Sequence, residues 1–229
     1  RFVLGLGSQV KSHIERRFSQ PWSAPATRMR EVIQAIRAIW HSWSTGDRLD
    51  FSSEHFSFNL MTPNFTPPRL QGNPPPIHIA AVGPAMLRLA ARECDGVMLH
   101  SFCSHHYLTE TILPLIEETL QQAGKRRSNF EISGGGFVVT GCNEEEISKQ
   151  FEWVRSRIAF YGSTPAYWPV LEASGQTGLG QELLALSKSQ SWDEMTRLIE
   201  DDLVYEFAAV GNHSSIGESV ADYFGGLTD

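Results

Sequence analysis

Hydrophobic residues along this chain alternate between short continuous runs and longer stretches with helical spacing. The runs at 2–7 and 77–82 are largely apolar, and a glycine stands at the end of each. Such runs are typical of strands that are buried on both faces of a parallel sheet. Between them, apolar residues recur every three or four positions from about 26 to 44, which predicts an amphipathic helix with Pro25 in its first turn.

The same alternation continues toward the end of the chain. Further strands are predicted at 96–100 and within 130–140, and 207–211 is a short apolar segment. Further helices are predicted at 84–93, at 106–123 with an interruption at Pro114, from Asn143 onward, and at 181–188, 192–200 and 213–223. Asn143 and Glu146 have the spacing of an N-terminal cap. Strands that alternate with amphipathic helices predict a parallel α/β fold.

Composition and charge narrow the class of protein. A formal net charge of −7 argues against a nucleic-acid partner, which requires a basic face. No apolar run approaches the roughly 18 to 20 residues that span a bilayer, and no signal peptide opens the chain, so we expect a cytoplasmic protein without a membrane partner. The three cysteines, Cys94, Cys103 and Cys142, form no CxxC pair and are expected to be reduced thiols.

The charge is spread unevenly. Residues 1–37 carry seven basic side chains against Glu15 and Glu31, which gives +5, and the remainder of the chain therefore carries −12. A basic local field in an acidic protein suits a small anionic ligand, and a solvated helix face explains it equally well.

Two segments could carry cofactor chemistry. Ala81, Val82, Gly83, Pro84 and Ala85 follow a strand and open a helix, and free N–H groups at a helix start attract phosphate. Many such turns are purely structural, so this alternative stays open.

The second segment follows the first strand. Gly7 and Ser8 end that strand, where a glycine leaves room for a flat ring or simply forms a tight turn. His13 stands on the same loop or early helical turn, close to Arg16 and Arg17.

Other kinds of site have weaker support. His100, Cys103, His105 and His106 are residue types that bind zinc, but no second cluster has ligand spacing, so we predict no metal site. The chain has neither a GxSxG elbow nor a GxxxxGK[ST] loop, so a serine hydrolase or a nucleoside triphosphatase lacks its motif.

Five segments together resemble the luciferase-like monooxygenase superfamily, and in particular its coenzyme F420-dependent oxidoreductases. They are 4–18, 28–40, 77–100, 158–172 and 207–211, and IAFYGSTPAY within the fourth is distinctive. The resemblance implies a (β/α)8 TIM barrel whose fourth to seventh strands are 2–7, 77–81, 96–100 and one strand within 130–140.

The resemblance also implies roles for particular residues. The turn Ala81–Ala85 would hold the cofactor phosphate, Gly7 and Ser8 would lie beside the deazaflavin ring, and His13 would make a polar cofactor contact. Val10 stands near the place where some F420-dependent dehydrogenases carry a catalytic carboxylate. No catalytic residue is therefore assigned.

On this basis we expect one barrel domain over 1–229 that lacks the first strands and the last. Four strands are recognised where the fold needs eight, and strand three, which carries a cis peptide behind the ring in the family, is among those missing. The expected function is hydride transfer between coenzyme F420 and an unidentified small organic substrate, in a homodimer when full length. The alternatives are a flavin mononucleotide (FMN)-dependent monooxygenase and a non-catalytic or truncated barrel fragment that binds no cofactor.

Overall fold

The computed structural model describes residues 2–69 and 72–229. The strands are β1 (Leu4–Leu6), β2 (Phe51–Ser52), β3 (Ser57–Phe58), β4 (Ile77–Ala81), β5 (Gly96–Leu99), β6 (Glu131–Gly134), β7 (Phe137–Gly141) and β8 (Ala208–Asn212). The helices are α1 (Lys11–Arg16), α2 (Pro25–Thr45), α3 (Pro84–Glu93), α4 (His105–Tyr107), α5 (Leu113–Gln122), α6 (Glu144–Gly162), α7 (Trp168–Ala173), α8 (Leu179–Lys188), α9 (Trp192–Arg197), α10 (Asp201–Phe207) and α11 (Ile216–Phe224).

Parallel strands form the centre of the fold. β1, β4, β5 and β6 make one four-stranded parallel sheet in that order, and β7 pairs with β8 in a second parallel ladder. β2 and β3 form a separate antiparallel hairpin. Helices follow β1, β4, β5, β7 and β8 along the chain, so the α/β class expected from the sequence is confirmed.

The segment 130–140 is two strands, so the prediction of one strand there was wrong. Gly134, the last residue of β6, and Gly135, which follows it, have φ values of 82° and 102°, which residues with a side chain rarely adopt. A β-carbon at Gly134 would also lie 2.5 Å from the Leu99 carbonyl oxygen. The chain turns at these glycines, so β6 pairs with β5 and β7 pairs with β8.

β8 corrects the strand count as well. The apolar segment 207–211 largely coincides with this strand, in register with β7 from Phe137 opposite Ala208 to Gly141 opposite Asn212. The four strands recognised in the sequence were therefore too few.

Most predicted helices are confirmed, with two corrections. Pro114 does not interrupt the helix at 106–123, because a π-helical stretch at Leu108–Ile112 joins α4 to α5 and places the proline in the first turn of α5, where its missing N–H is not needed. The helix predicted at 192–200 ends at Arg197, and α10 begins at Asp201. The Asn143 side chain accepts a hydrogen bond from the Glu146 N–H, as its spacing predicted.

The hydrophobic core lies between the parallel sheet and the helices. Ile77 and Ile79 of β4 and Val97 of β5 are fully buried there, together with Leu87 of α3. Successive side chains of a strand point to opposite faces, so His78 and Ala80 lie on the other face of the sheet. We call this the inner face; it also carries Gly5 of β1 and Met98 of β5, and a β-carbon at Gly5 would lie 3.0 Å from the Met98 methyl carbon.

Candidate cofactor site at the carboxyl ends of the strands

The parallel pairing of β1 with β4 brings the first two predicted segments together. Leu6 is in register with Ile79, so Gly7 lies beside Ala80 and next to the turn that follows β4. A β-carbon at Gly7 would lie 3.7 Å from the Ala80 β-carbon, an ordinary contact distance. The carboxyl ends of parallel strands are where ligands bind in this architecture.

The turn after β4 opens helix α3 without a side-chain cap. Gly83 is the N-cap residue with extended backbone angles, φ −90° and ψ 161°, and Pro84 follows in the first turn. The Met86 and Leu87 N–H groups donate to the Gly83 carbonyl, both at 3.1 Å. Within the described residues, the N–H groups of Gly83 and Ala85 have no acceptor. The start of this helix therefore presents free donors and the positive end of its dipole.

Space is also available at this helix start. A β-carbon at Gly83 would meet nothing within 4 Å. An anion could therefore approach the backbone closely at this point. Free amide donors, a helix N-terminus and open space are the features that a phosphate group requires, so the turn fits the phosphate of a cofactor.

Ser8 lies on the loop that leaves Gly7, and His13 lies in helix α1, which follows that loop. The Ser8 hydroxyl donates to the Gln9 carbonyl at 3.2 Å, and the His13 Nδ1 lies 3.1 Å from the Gln9 side-chain oxygen. Gln9 itself has a φ of 59°, which bends the chain between the glycine and helix α1. None of the α1 residues is buried. The structure therefore places Ser8 and His13 at the edge of the candidate site, where they contact Gln9.

His100, Cys103, His105 and His106, the zinc-binding residue types considered in the sequence, do not form a ligand group among the described residues. Cys103 is buried, which raises the pKa of its thiol to about 12, and the thiol donates to the Ser104 carbonyl. The His105 ring packs on Tyr223 with centroids 5.1 Å apart, and His106 is exposed. Cys103 and His105 therefore make hydrogen-bond and ring contacts with their neighbours in the fold.

His100 has a different environment at the end of β5. Its Nδ1 accepts a hydrogen bond from the Phe102 N–H at 2.9 Å. The Tyr161 ring lies edge-on with centroids 4.7 Å away, and the Tyr167 ring lies at 5.3 Å. Burial lowers the pKa of His100 below its ordinary value. A half-buried, neutral imidazole with a fixed orientation therefore lies at the same end of the sheet as the turn.

A second polar cluster lies on the β2–β3 hairpin and was missed in the sequence. Glu31 of α2 is buried, and its Oε2 accepts hydrogen bonds from the Ser53 hydroxyl at 2.8 Å and the His55 N–H at 2.9 Å, with the His55 Nδ1 at 3.0 Å. Burial alone would raise the pKa of Glu31, but these hydrogen bonds outweigh it and lower the pKa. Glu31, Glu54 and His55 also bring their ligand-type atoms within 4.8 Å of one another. The hydrogen bonds tie the hairpin to α2.

Four of the basic residues near the start of the chain have different surroundings in the described structure. Arg16 and Arg17 are exposed at the end of α1, whereas Arg28 stacks on Phe56 at 5.8 Å. Arg37 donates to the Glu93 carbonyl at 2.7 Å and pairs with Asp95. Arg37 lines a hollow of about 790 Å³ at the amino ends of the strands, opposite the candidate site.

Comparison with known proteins identifies the family. The model of the luciferase-like monooxygenase family matches residues 1–229. An uncharacterized protein of Mycobacterium tuberculosis is 42% identical over 229 residues, which are 100% of this chain and 67% of that protein. The 5,10-methylenetetrahydromethanopterin reductase of Archaeoglobus fulgidus is 28% identical over 227 residues, covering 96% of this chain and 63% of that protein.

The fold comparison agrees. The coenzyme F420-dependent tetrahydromethanopterin reductase of Methanopyrus kandleri matches with a TM-score of 0.73 at 18% identity, over 97% of this chain and 65% of that chain. The protein belongs to the luciferase-like monooxygenase family, and its fold is the TIM-barrel type of that family, of which this chain supplies a part. Among the described residues, no helix has both the length and the apolar character needed to cross a bilayer.

Proposed function

We propose that this protein is an oxidoreductase that transfers a hydride between coenzyme F420 and a small organic substrate. The observation that carries the proposal is the uncapped, open start of α3, with the free Gly83 and Ala85 amides beside the bare backbone of Gly7. A sequence relative supports the choice of cofactor, since the F420-dependent glucose-6-phosphate dehydrogenase of Nakamurella multipartita is 32% identical over 131 residues, covering 57% of this chain and 37% of that protein. F420 would supply the hydride chemistry when it is bound.

The chain's own residues would bind and orient that cofactor. The turn Ala81–Ala85 would hold its phosphate through backbone amides, and the absence of a side chain at Gly7 would let a flat ring lie against the strand end. Ser8 and His13 would add polar contacts at the edge of the ring.

The exposed end of α1 provides a place for the anionic tail of the cofactor. Arg16 and Arg17 lie there, and no ion pair holds either guanidinium within the described chain. Reversing both to Glu should weaken F420 more than an analogue without the tail. Equal weakening of the two ligands would remove this part of the proposal.

A flavin mononucleotide monooxygenase is the second candidate. The same turn favours it, because free amides at a helix start bind the phosphate of FMN as readily as that of F420. A barrel fragment that binds no cofactor is the third candidate. The chain spans about two thirds of the length of the relatives it matches. We further propose a single barrel domain over 1–229 and a homodimer of the full-length protein, which acts on a small molecule and binds no nucleic acid.

Titration with both cofactors separates these candidates. Fluorescence of F420 and of FMN would be followed as protein is added, with the turn variant Gly83→Asp as the control. Selective, saturable F420 binding that the variant loses supports the proposal. Tight FMN binding without F420 binding indicates the monooxygenase, and the absence of binding by either cofactor indicates the fragment.

A further inference from the structure

His100 lies where a substrate bound over the cofactor would reach it. Alternation along β5 puts Gly96, Met98 and then His100 on the inner face, the face that Gly7 and Ala80 also share. Neighbouring strands are about 4.8 Å apart and rise about 3.3 Å per residue, so the His100 backbone lies about 5 Å from Val82 in the turn Ala81–Ala85 and about 12 Å from Gly7. This spacing is that of a ring-sized ligand between them.

The hydrogen bond at Nδ1 fixes what the imidazole can offer. Because Nδ1 accepts the Phe102 N–H, a neutral His100 carries its proton on Nε2. The described part of the chain gives Nε2 no hydrogen-bond partner, and Nε2 is reachable from solvent. Burial lowers the pKa of His100, which keeps the ring neutral near neutral pH. His100 is therefore a donor with one free N–H and no free acceptor.

Two tyrosine rings define the surroundings of this donor. Tyr161, near the end of α6, meets the imidazole edge-on, and Tyr167 follows in the short 3-10 turn Pro165–Tyr167. Their rings also contact each other, with centroids 6.0 Å apart. Phe102 packs behind them and is fully buried, so the tyrosines are held in place. Aromatic walls around a single N–H donor favour a ligand with an apolar or aromatic body and one oxygen acceptor.

We propose that His100 donates a hydrogen bond from Nε2 to the carbonyl or hydroxyl oxygen of the substrate, and that Tyr161 and Tyr167 form the apolar walls that select an aromatic or similarly flat body. The inference rests on the proposed function, because the substrate is placed over the F420 site. In this role His100 keeps its proton and holds the substrate oxygen. Both tyrosines lie in the distinctive sequence IAFYGSTPAY, so the proposal assigns this segment a role in substrate binding.

The test uses acetophenone as the probe and ethylbenzene, which lacks the oxygen, as its matched partner. With nitrogen-15-labelled histidine, long-range proton–nitrogen spectra report the tautomer and the Nε2 hydrogen bond of each ring. We expect His100 to show the Nε2–H tautomer in the free protein, and acetophenone to shift its Nε2 signal while ethylbenzene leaves it in place. The exposed His106 provides the reference signal in these spectra, and His106→Gln is the control variant.

Variants separate recognition of the oxygen from packing. His100→Phe should weaken acetophenone about three- to tenfold, the effect of one neutral hydrogen bond, and leave ethylbenzene unchanged. His100→Gln keeps an N–H donor and should recover most of that loss.

Three results would overturn the inference. They are equal weakening of both probes by His100→Phe, bound acetophenone without a shift at His100, and no acetophenone binding at all. The spectra of the unaltered protein decide the question even if a variant fails to fold.

A separate F420 titration of the same proteins keeps the two proposals apart. His100→Phe should bind F420 as tightly as the unaltered protein, because the turn Ala81–Ala85 and Gly7 are unchanged. If the unaltered protein does not bind F420, the proposed function is wrong, even if His100 recognises acetophenone. Intact F420 binding without discrimination between the probes would defeat only the assignment of His100.

Discussion

Gly83→Asp should make the protein more stable and a worse binder of its cofactor. Gly83 is the N-cap of α3, its extended backbone suits any residue, and a β-carbon there meets nothing within 4 Å. An aspartate can therefore enter without strain and accept the free Ala85 N–H. Replacing a glycine cap gains a few tenths of a kcal/mol, and a carboxylate at the helix start adds about 0.3–1 kcal/mol.

The effect on binding has the opposite sign because the new carboxylate stands where the phosphate would bind. Two negative charges about 5 Å apart repel by about 3 kcal/mol at an effective dielectric constant of about 20. Salt screening reduces this value, so we expect at least about a tenfold loss of F420 affinity, larger at low salt than at high salt.

Thermal unfolding and F420 fluorescence titration measure the two effects on the same protein. Gly83→Asn is the matched control, because it keeps the capping oxygen without the charge and should lose only part of the affinity. Wild-type F420 affinity in Gly83→Asp would refute a phosphate site at this turn. A drop in stability would refute the open, uncapped helix start, and equal losses in the Asp and Asn variants would show that charge is not the cause.

Three further predictions concern the rest of the fold. Gly96→Ala should lower stability by about 1–3 kcal/mol, because its β-carbon would lie 2.6 Å from both the Glu131 carbonyl oxygen and the His78 Nε2. Gly217→Ala is the control: it lies in open helical surroundings, so thermal unfolding should show a neutral or stabilising effect. Glu31 has a lowered pKa in the folded state, so its contribution to stability is present above the ordinary pKa of 4.5 and is lost as the pH falls through the folded value. Glu31→Gln should flatten that acid-side decline in melting temperature, and an unchanged pH profile would contradict the hydrogen-bonded carboxylate. A thiol reagent should modify the exposed Cys142 in the native protein and reach the two buried cysteines only after unfolding, whereas three native reactive thiols would contradict the packing.

Part of the candidate site follows directly from the sequence. The turn Ala81–Ala85 and the strand end at Gly7 were both found from residue types that act locally: glycine that permits close approach, and proline suited to a first helical turn. Their proximity follows from a general property of parallel sheets, in which carboxyl ends lie side by side. His13 was expected on the loop after Gly7 or in an early helical turn, and it lies in α1; its contact with Gln9 depends on a local bend that no sequence pattern signalled.

Other features depend on contacts between distant parts of the chain. Tyr161 and Tyr167 stood in a distinctive segment without an assigned role, because only the fold brings α6 and the following turn against the end of β5. In the sequence, Glu31 was only one of two acidic residues among the basic residues of 1–37. Its hydrogen-bond partners Ser53 and His55 lie more than twenty residues away along the chain, so no local pattern indicates them.

The sequence by itself determined the α/β class, most helix boundaries and the glycine–proline turn that opens α3, because hydrophobic periodicity, capping and glycine or proline geometry act within a few residues. Only the tertiary structure decided how 130–140 divides between two sheets and what surrounds His100. The apolar segments at Phe137 and Ala208 are each compatible with several partners. Pairing between strands some seventy residues apart is settled by packing of the whole core, which a local pattern does not encode.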